Sequence, residues 1–192
     1  MSTEILETKT AYDGWAKYIL AKVRLEDGHI AEREIVKRER CISVLPYDAE
    51  RKVALLVSQF RVPVLFESGE QALLETIAGM CDGAAPEDAA RKEAFEETGV
   101  RLSTLEYIGV MWTSPGGSTE RMDLYLAPYS RSDRIGRGGG VADEHEHIAV
   151  VEIPLADLAS KAERGEIRDM KMFALVQTLR LRRPDLFGDQ RP

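Results

Sequence analysis

The stretch PEDAARKEAFEETG, from Pro86 to Gly99, constrains this chain more than any other part of it. Proline is tolerated at the first helical position, Glu87 and Asp88 suit the positive end of a helix dipole, and Gly99 supplies a stop. The spacing therefore predicts a helix over residues 86–98. On that helix Glu93 and Glu97 lie four apart on one face, with Glu96 three from Glu93 beside them. Like charges so placed repel, and a bound divalent cation turns the repulsion into attraction. Carboxylate oxygens suit Mg²⁺ or Mn²⁺. An isolated Glu-x-x-Glu-Glu is usually a solvated helix face. Here it follows a strand-like run over 72–77, an Ala78-Gly79 corner and a short loop, which gives the carboxylates a defined setting.

Around this helix the pattern is mixed. Residues 15–25 and 29–36 read as strands joined by the turn Glu26-Asp27-Gly28, a hairpin that forms an N-terminal arm. Residues 41–47 and 52–60 read as two more strands, separated by the polar break 48–51. Strand patterns recur over 105–112, 122–126 and 148–153, and helical ones over 155–162 and 169–181. Residues 130–140, with Gly136, Gly138, Gly139 and Gly140, read as a flexible loop. The sum predicts an α+β protein with helices packed on sheet, divided into an arm over 1–40 and a domain over 41–192.

Composition narrows the function. A net charge of -7 and a pI near 5.1 argue against charge-driven nucleic-acid binding. They fit phosphate chemistry if the carboxylates hold a cation that draws the phosphate in. The two cysteines, Cys41 and Cys81, have neither disulfide-framework nor zinc spacing and read as reduced core thiols. No apolar run is long enough to span a bilayer, and the first ten residues lack a signal-peptide pattern, so the cytoplasm is the expected compartment.

Gly79, Glu93, Glu96, Glu97 and Gly99 together resemble the Nudix box, a glycine, five residues, Glu, seven residues, then Arg-Glu-x-x-Glu-Glu-x-Gly. The chain departs from it in three ways. Ala85 stands at the first acidic position, Lys92 replaces the arginine before the catalytic Glu, and the spacing is one residue short. Further segments extend the resemblance over nearly the whole chain: SQFRV at 58–62, TSPGG before Thr119-Glu120, GGGVADE at 138–144, and GEIRD at 165–169 followed by Lys171. Within the Nudix hydrolases these segments are most similar to the GDP-mannose pyrophosphatase branch, a near relative of the ADP-ribose pyrophosphatases. That branch shares the shortened box and its lysine, which leaves Ala85 without a counterpart.

The resemblance implies a Nudix fold, an α/β/α sandwich with a mixed sheet, and Mg²⁺-dependent cleavage of a nucleoside diphosphate sugar. It implies that the backbone carbonyl of Ala78, with Glu93 and Glu97, holds the metal, with Glu96 as a further candidate. Glu144 would complete the metal site or take the proton of the attacking water, a role for which Glu146 competes. Arg61 would contact the diphosphate, Lys171 the phosphate or sugar end, and Glu120 the sugar. Gly79 belongs to the same substrate-binding set. Trp15 would stack on the base, and Arg33 and Glu34 would lie on an arm exchanged within a homodimer. Each position has a bland alternative: Trp15 as a packing residue, Arg33 and Glu34 as ordinary hairpin charges, Lys171 as a snorkelling surface side chain. The rival functions are ADP-ribose hydrolysis by the same groups and a non-catalytic nucleotide-binding module. Neither nucleic acid nor membrane is an expected partner.

Overall fold

A computed structural model describes residues 2–141 and 147–188 of the chain. Three strands open it: β1 (Glu4–Asp13), β2 (Lys17–Arg24) and β3 (Ile30–Lys37). They form their own antiparallel sheet in the order β1-β2-β3, with a turn at 25–28 closing the second hairpin. β1 goes beyond the two-stranded arm expected from sequence. It is almost entirely exposed, so no buried face imprints an apolar alternation on its residues.

The main sheet is built from β4 (Arg40–Asp48), β5 (Val53–Gln59), β8 (Glu106–Trp112), β9 (Arg121–Pro128) and β10 (Ala149–Pro154), in the order β10-β5-β4-β9-β8. β4 and β9 run parallel and the other pairs antiparallel, so the sheet is mixed as expected. The short strands β6 (Leu73–Glu75) and β7 (Ile77–Met80) pair with β5 and β4 respectively. Side chains alternate cleanly between two cores. Leu45, Ala54, Leu56, Leu124 and Leu126 pack with helices α3 (Leu155–Glu163) and α4 (Met170–Arg182) on one face. Ile42, Val44, Leu55, Val57 and Tyr125 pack with α2 (Pro86–Thr98) on the other. This period of two is what a sheet covered on both faces requires. Cys41 and Cys81 are buried free thiols within these cores. No helix among the described residues is long and apolar enough to cross a membrane.

Three details correct the sequence reading. The single strand expected over 72–77 is two strands divided at Thr76, where the chain steps from β5 to β4. Thr76 is fully buried there, its hydroxyl bonded to that of Ser43 and its N–H directed at Asp169. A short helix, α1 (Val62–Ser68), follows Arg61; it buries no side chain, which is why no amphipathic pattern announced it. Finally, the glycine-rich run before residue 141 is anchored on α2. Gly136, Gly139 and Gly140 donate backbone N–H groups to the carbonyls of Gly99, Glu97 and Glu96. These bonds satisfy acceptors that a helix C-terminus otherwise leaves open.

The anchoring needs glycine. Gly99 caps α2 at φ 74°, and a Cβ there would lie 2.2 Å from the carbonyl oxygen of Gly136. Gly99→Ala should therefore lower the unfolding free energy by about 2 kcal/mol or more, combining left-handed strain with backbone overlap. Urea denaturation measures this. A loss below about 0.5 kcal/mol, the size of an ordinary surface change, would contradict the packing described.

Candidate active site

Helix α2 brings the expected carboxylates to the sheet. Its buried residues are mostly small, Ala89, Ala90 and Ala94, so its backbone approaches β4, β5 and β7 closely. The same face carries Glu97, which is only 3% exposed. One turn earlier, the Glu93 carboxyl lies directly against Gly79: a Cβ at that position would fall 2.2 Å from Glu93 Cδ. The glycine thus leaves the space that the carboxylate fills. Lys92 bridges the remaining charge, with Nζ 2.8 Å from Glu96 and 3.5 Å from Glu93. Its ammonium pKa is raised by the hydrogen bond to Glu96 and by the field of both carboxylates. A lysine makes these as point contacts, without the planar fork of an arginine.

An oxygen-rich donor set of this kind fits a divalent cation. The Gly79 cradle fixes Glu93 beside the Ala78 backbone, and Glu97 is held one turn below. Among the described residues no three His, Cys, Asp or Glu side chains converge on one metal-sized point. Glu144 and Glu146, the loop carboxylates expected from sequence, lie outside the described residues.

Opposite the carboxylates stands a cationic rim. Arg61, at the end of β5, donates from Nε and Nη2 to Glu75 at 2.7 and 3.2 Å. Lys171, in the first turn of α4, donates to the same carboxylate and lies 2.9 Å from Asp169. Burial is the largest influence on Arg61 and works against its charge, but the bond to Glu75 and the fields of Glu75, Glu97 and Asp169 together hold the pKa above its ordinary value. Glu75 is likewise opposed by burial, yet Arg61 and Lys171 keep its carboxyl below the usual range. Burial prevails at Asp169 and raises its pKa, with Glu75 adding and Lys171 opposing. Glu75 and Asp169 receive no role from the sequence, since a single carboxylate in a strand or at a helix start gives no pattern until its partners are in place.

Arg61 and Lys171 meet Glu93 and Glu96 in one cavity of about 460 Å³, whereas Glu97, Glu75 and Asp169 are not among its walls. Its walls include Arg61, Ala78, Gly79, Glu93, Glu96, Glu120, Lys171 and Trp15, so most of the residues selected from sequence converge. Trp15 is 81% exposed, and the guanidinium of Arg38 sits 3.4 Å over its ring. Arg38 in turn faces Glu120 at 3.5 Å. Sequence reasoning passed over Arg38, which is one cation among several in a run of charged residues. Arg33 and Glu34 are not in this cavity. Within one chain they line a separate recess with Trp112 and the loop at 115–119.

Known proteins resemble this chain in sequence and in fold. A model of the NUDIX domain matches residues 37–176. The chain is similar to a GDP-mannose pyrophosphatase of Cronobacter sakazakii, 36% identical over 95% of this chain and 97% of that one. A GDP-mannose pyrophosphatase of Escherichia coli is 38% identical over 81% and 82% of the two chains. In fold it is similar to a crystal structure described as an ADP compounds hydrolase, with a TM-score of 0.79 over 96% of both chains at 17% identity.

The Gly79 contact generates a direct test. Gly79→Ala places a methyl group where the Glu93 carboxyl lies, so that carboxyl must move by about an ångström or more while the sheet pairing stays. Mn²⁺ affinity measured by calorimetry should fall about tenfold, as when a group that orients a metal ligand is lost. Far-UV circular dichroism should be unchanged. Wild-type Mn²⁺ affinity in a folded variant would show that Glu93 is not held by this contact.

Proposed function

The chain belongs to the Nudix family, and from that premise we propose that it hydrolyses the diphosphate linkage of a nucleoside diphosphate sugar, GDP-mannose foremost, to GMP and mannose 1-phosphate. One observation carries the reading: a single ligand-sized cavity joins the carboxylate face of α2 to two fixed cations and an exposed indole. The metal-dependent class, the site roles and the substrate are inferences from that arrangement together with the named relatives.

In this scheme the Ala78 carbonyl, Glu93 and Glu97 hold Mg²⁺ or Mn²⁺, with Glu96 close by. When bound, such a cation neutralises non-bridging phosphate oxygens and acidifies a water. Arg61 stabilises charge on the transferring phosphoryl group, and Lys171 holds the phosphate or sugar end. Glu120 faces the sugar. Trp15 supplies a stacking surface for the base, with Arg38 on its opposite face. Glu144 accepts the proton of the attacking water. The arm over 1–40 serves a homodimer, in which Arg33 and Glu34 reach the partner's site; this agrees with their separation from the cavity within one chain. ADP-ribose hydrolysis would use the same chemistry with different base and sugar contacts. A purely binding module is disfavoured by the carboxylates gathered at the site. The cytoplasm is the proposed compartment.

The test is product formation from GDP-mannose and ADP-ribose with and without Mg²⁺. We expect kcat/KM for GDP-mannose to exceed that for ADP-ribose about tenfold, a difference of about 1.4 kcal/mol. Glu97→Gln should lower kcat about 100-fold or more. A preference for ADP-ribose would replace the substrate and keep the chemistry. A folded wild-type enzyme inactive on both would overturn the hydrolase reading, and a Glu97→Gln rate within a few-fold of wild type would overturn the ligand assignment.

A further inference from the structure

We propose that Glu75 is a positioning residue for the substrate's diphosphate, setting Arg61 and Lys171 at fixed points on the cavity wall. The inference rests on the phosphate-binding roles assigned above to those two cations. Glu75 does not line the cavity; its side chain is 3% exposed and lies behind the two residues that do. One carboxylate oxygen takes Arg61 Nε, and the other takes both Arg61 Nη2 and Lys171 Nζ. Two cations 110 positions apart in the chain are thereby tied to one anchor, on a strand that pairs with β5.

The donor count gives the anchor its meaning. Arginine has five N–H groups and lysine three. Glu75 takes two from Arg61, and Glu75 with Asp169 takes two from Lys171. Among the described residues Arg61 keeps three donors and Lys171 one, and both residues line the cavity. The four charged groups sum to zero, two cations against Glu75 and Asp169. This cluster therefore draws an anion less by net charge than by the aim of donors already in place, and releasing them from Glu75 would cost that preorganisation.

A structural salt bridge and a positioning residue differ in what Glu75→Gln does. The variant keeps size and shape but cannot accept both cations as an anion. We expect the Kd for GDP, by calorimetry, to weaken about tenfold while guanosine, which has no phosphate, binds as to wild type. KM for GDP-mannose should rise by a similar factor, and more than kcat falls. In an Arg61→Ala background the same substitution should cost GDP only about two- to threefold, since one of the groups it aims is gone. Glu75→Asp, which keeps the charge on a shorter stem, should recover part of the loss and serves if the glutamine variant does not fold. GDP binding unchanged in a folded Glu75→Gln, with Arg61→Ala still weakened, would overturn the positioning role alone. GDP binding unchanged in Arg61→Ala as well would overturn the phosphate reading beneath it and the proposal together. Equal, additive losses in both backgrounds would mark Glu75 as structural only.

Discussion

Everything at this site depends on how closely α2 lies on the sheet. A helix carrying Leu or Phe on its inner face is held away from the strands beneath it by the volume of those side chains. Here Ala89, Ala90 and Ala94 face the core, and their size brings the helix backbone inward. That approach lets Glu93 reach into the gap above Gly79, and Glu97 is buried on the same helix. The apolar contacts along the first turns thus set the position of charged groups in the last ones. The glycine run from Gly136 to Gly140 holds the other end by bonding the terminal carbonyls of the helix. Packing at one end and hydrogen bonds at the other leave the carboxylates little freedom to spread apart.

The cationic wall is organised on a different principle. Arg61 and Lys171 come from elements on different parts of the sheet, and nothing in their own backbones brings them together. A buried carboxylate does so, and burying it is tolerable because it is fully bonded to cations. Its pKa is held down and that of Arg61 held up despite the desolvation both experience. Asp169 is the exception. It also caps the start of α4 through Lys171 N–H and lies near Thr76 N–H, yet burial still raises its pKa. The strand break at Thr76 belongs to this arrangement, since it is the step that places Glu75 over β5 and Ala78-Gly79 over β4.

What the sequence disclosed, and what it concealed, follows from these two principles. The limits of α2 were legible to the residue, because proline, early acids and glycine are local signals with local causes. Helices packed on sheet were legible from the pattern of strands and helices, while the mixed sheet and the residues gathered in the cavity were legible largely through the Nudix resemblance. β1 and α1 were missed because neither buries an apolar face, so their residues carry no periodicity. Glu75, Asp169 and Arg38 were missed for a different reason. Each owes its place to a partner far along the chain: Arg61, Lys171 or Trp15. Ala85, by contrast, was noticed as a departure and has a local account: it occupies the N-cap of α2 in an extended conformation without a side-chain cap. Pro86 follows it at the first helical position and lacks an N–H, which leaves one fewer unbonded donor at the helix start.

The substitution at Lys92 now has a physical consequence. An arginine at this position offers a planar fork that can hold a carboxylate through two parallel bonds. The lysine instead sits between Glu93 and Glu96, closer to Glu96, and is itself largely exposed. The position of Glu93 therefore draws on the close approach to Gly79 as well as on its neighbouring cation. Close packing against glycine is a contact that salt does not screen, unlike the exposed ion pair with Lys92 beside it. In this chain the glycine of the box does more than turn the strand: it supplies the surface that places the carboxylate beside it.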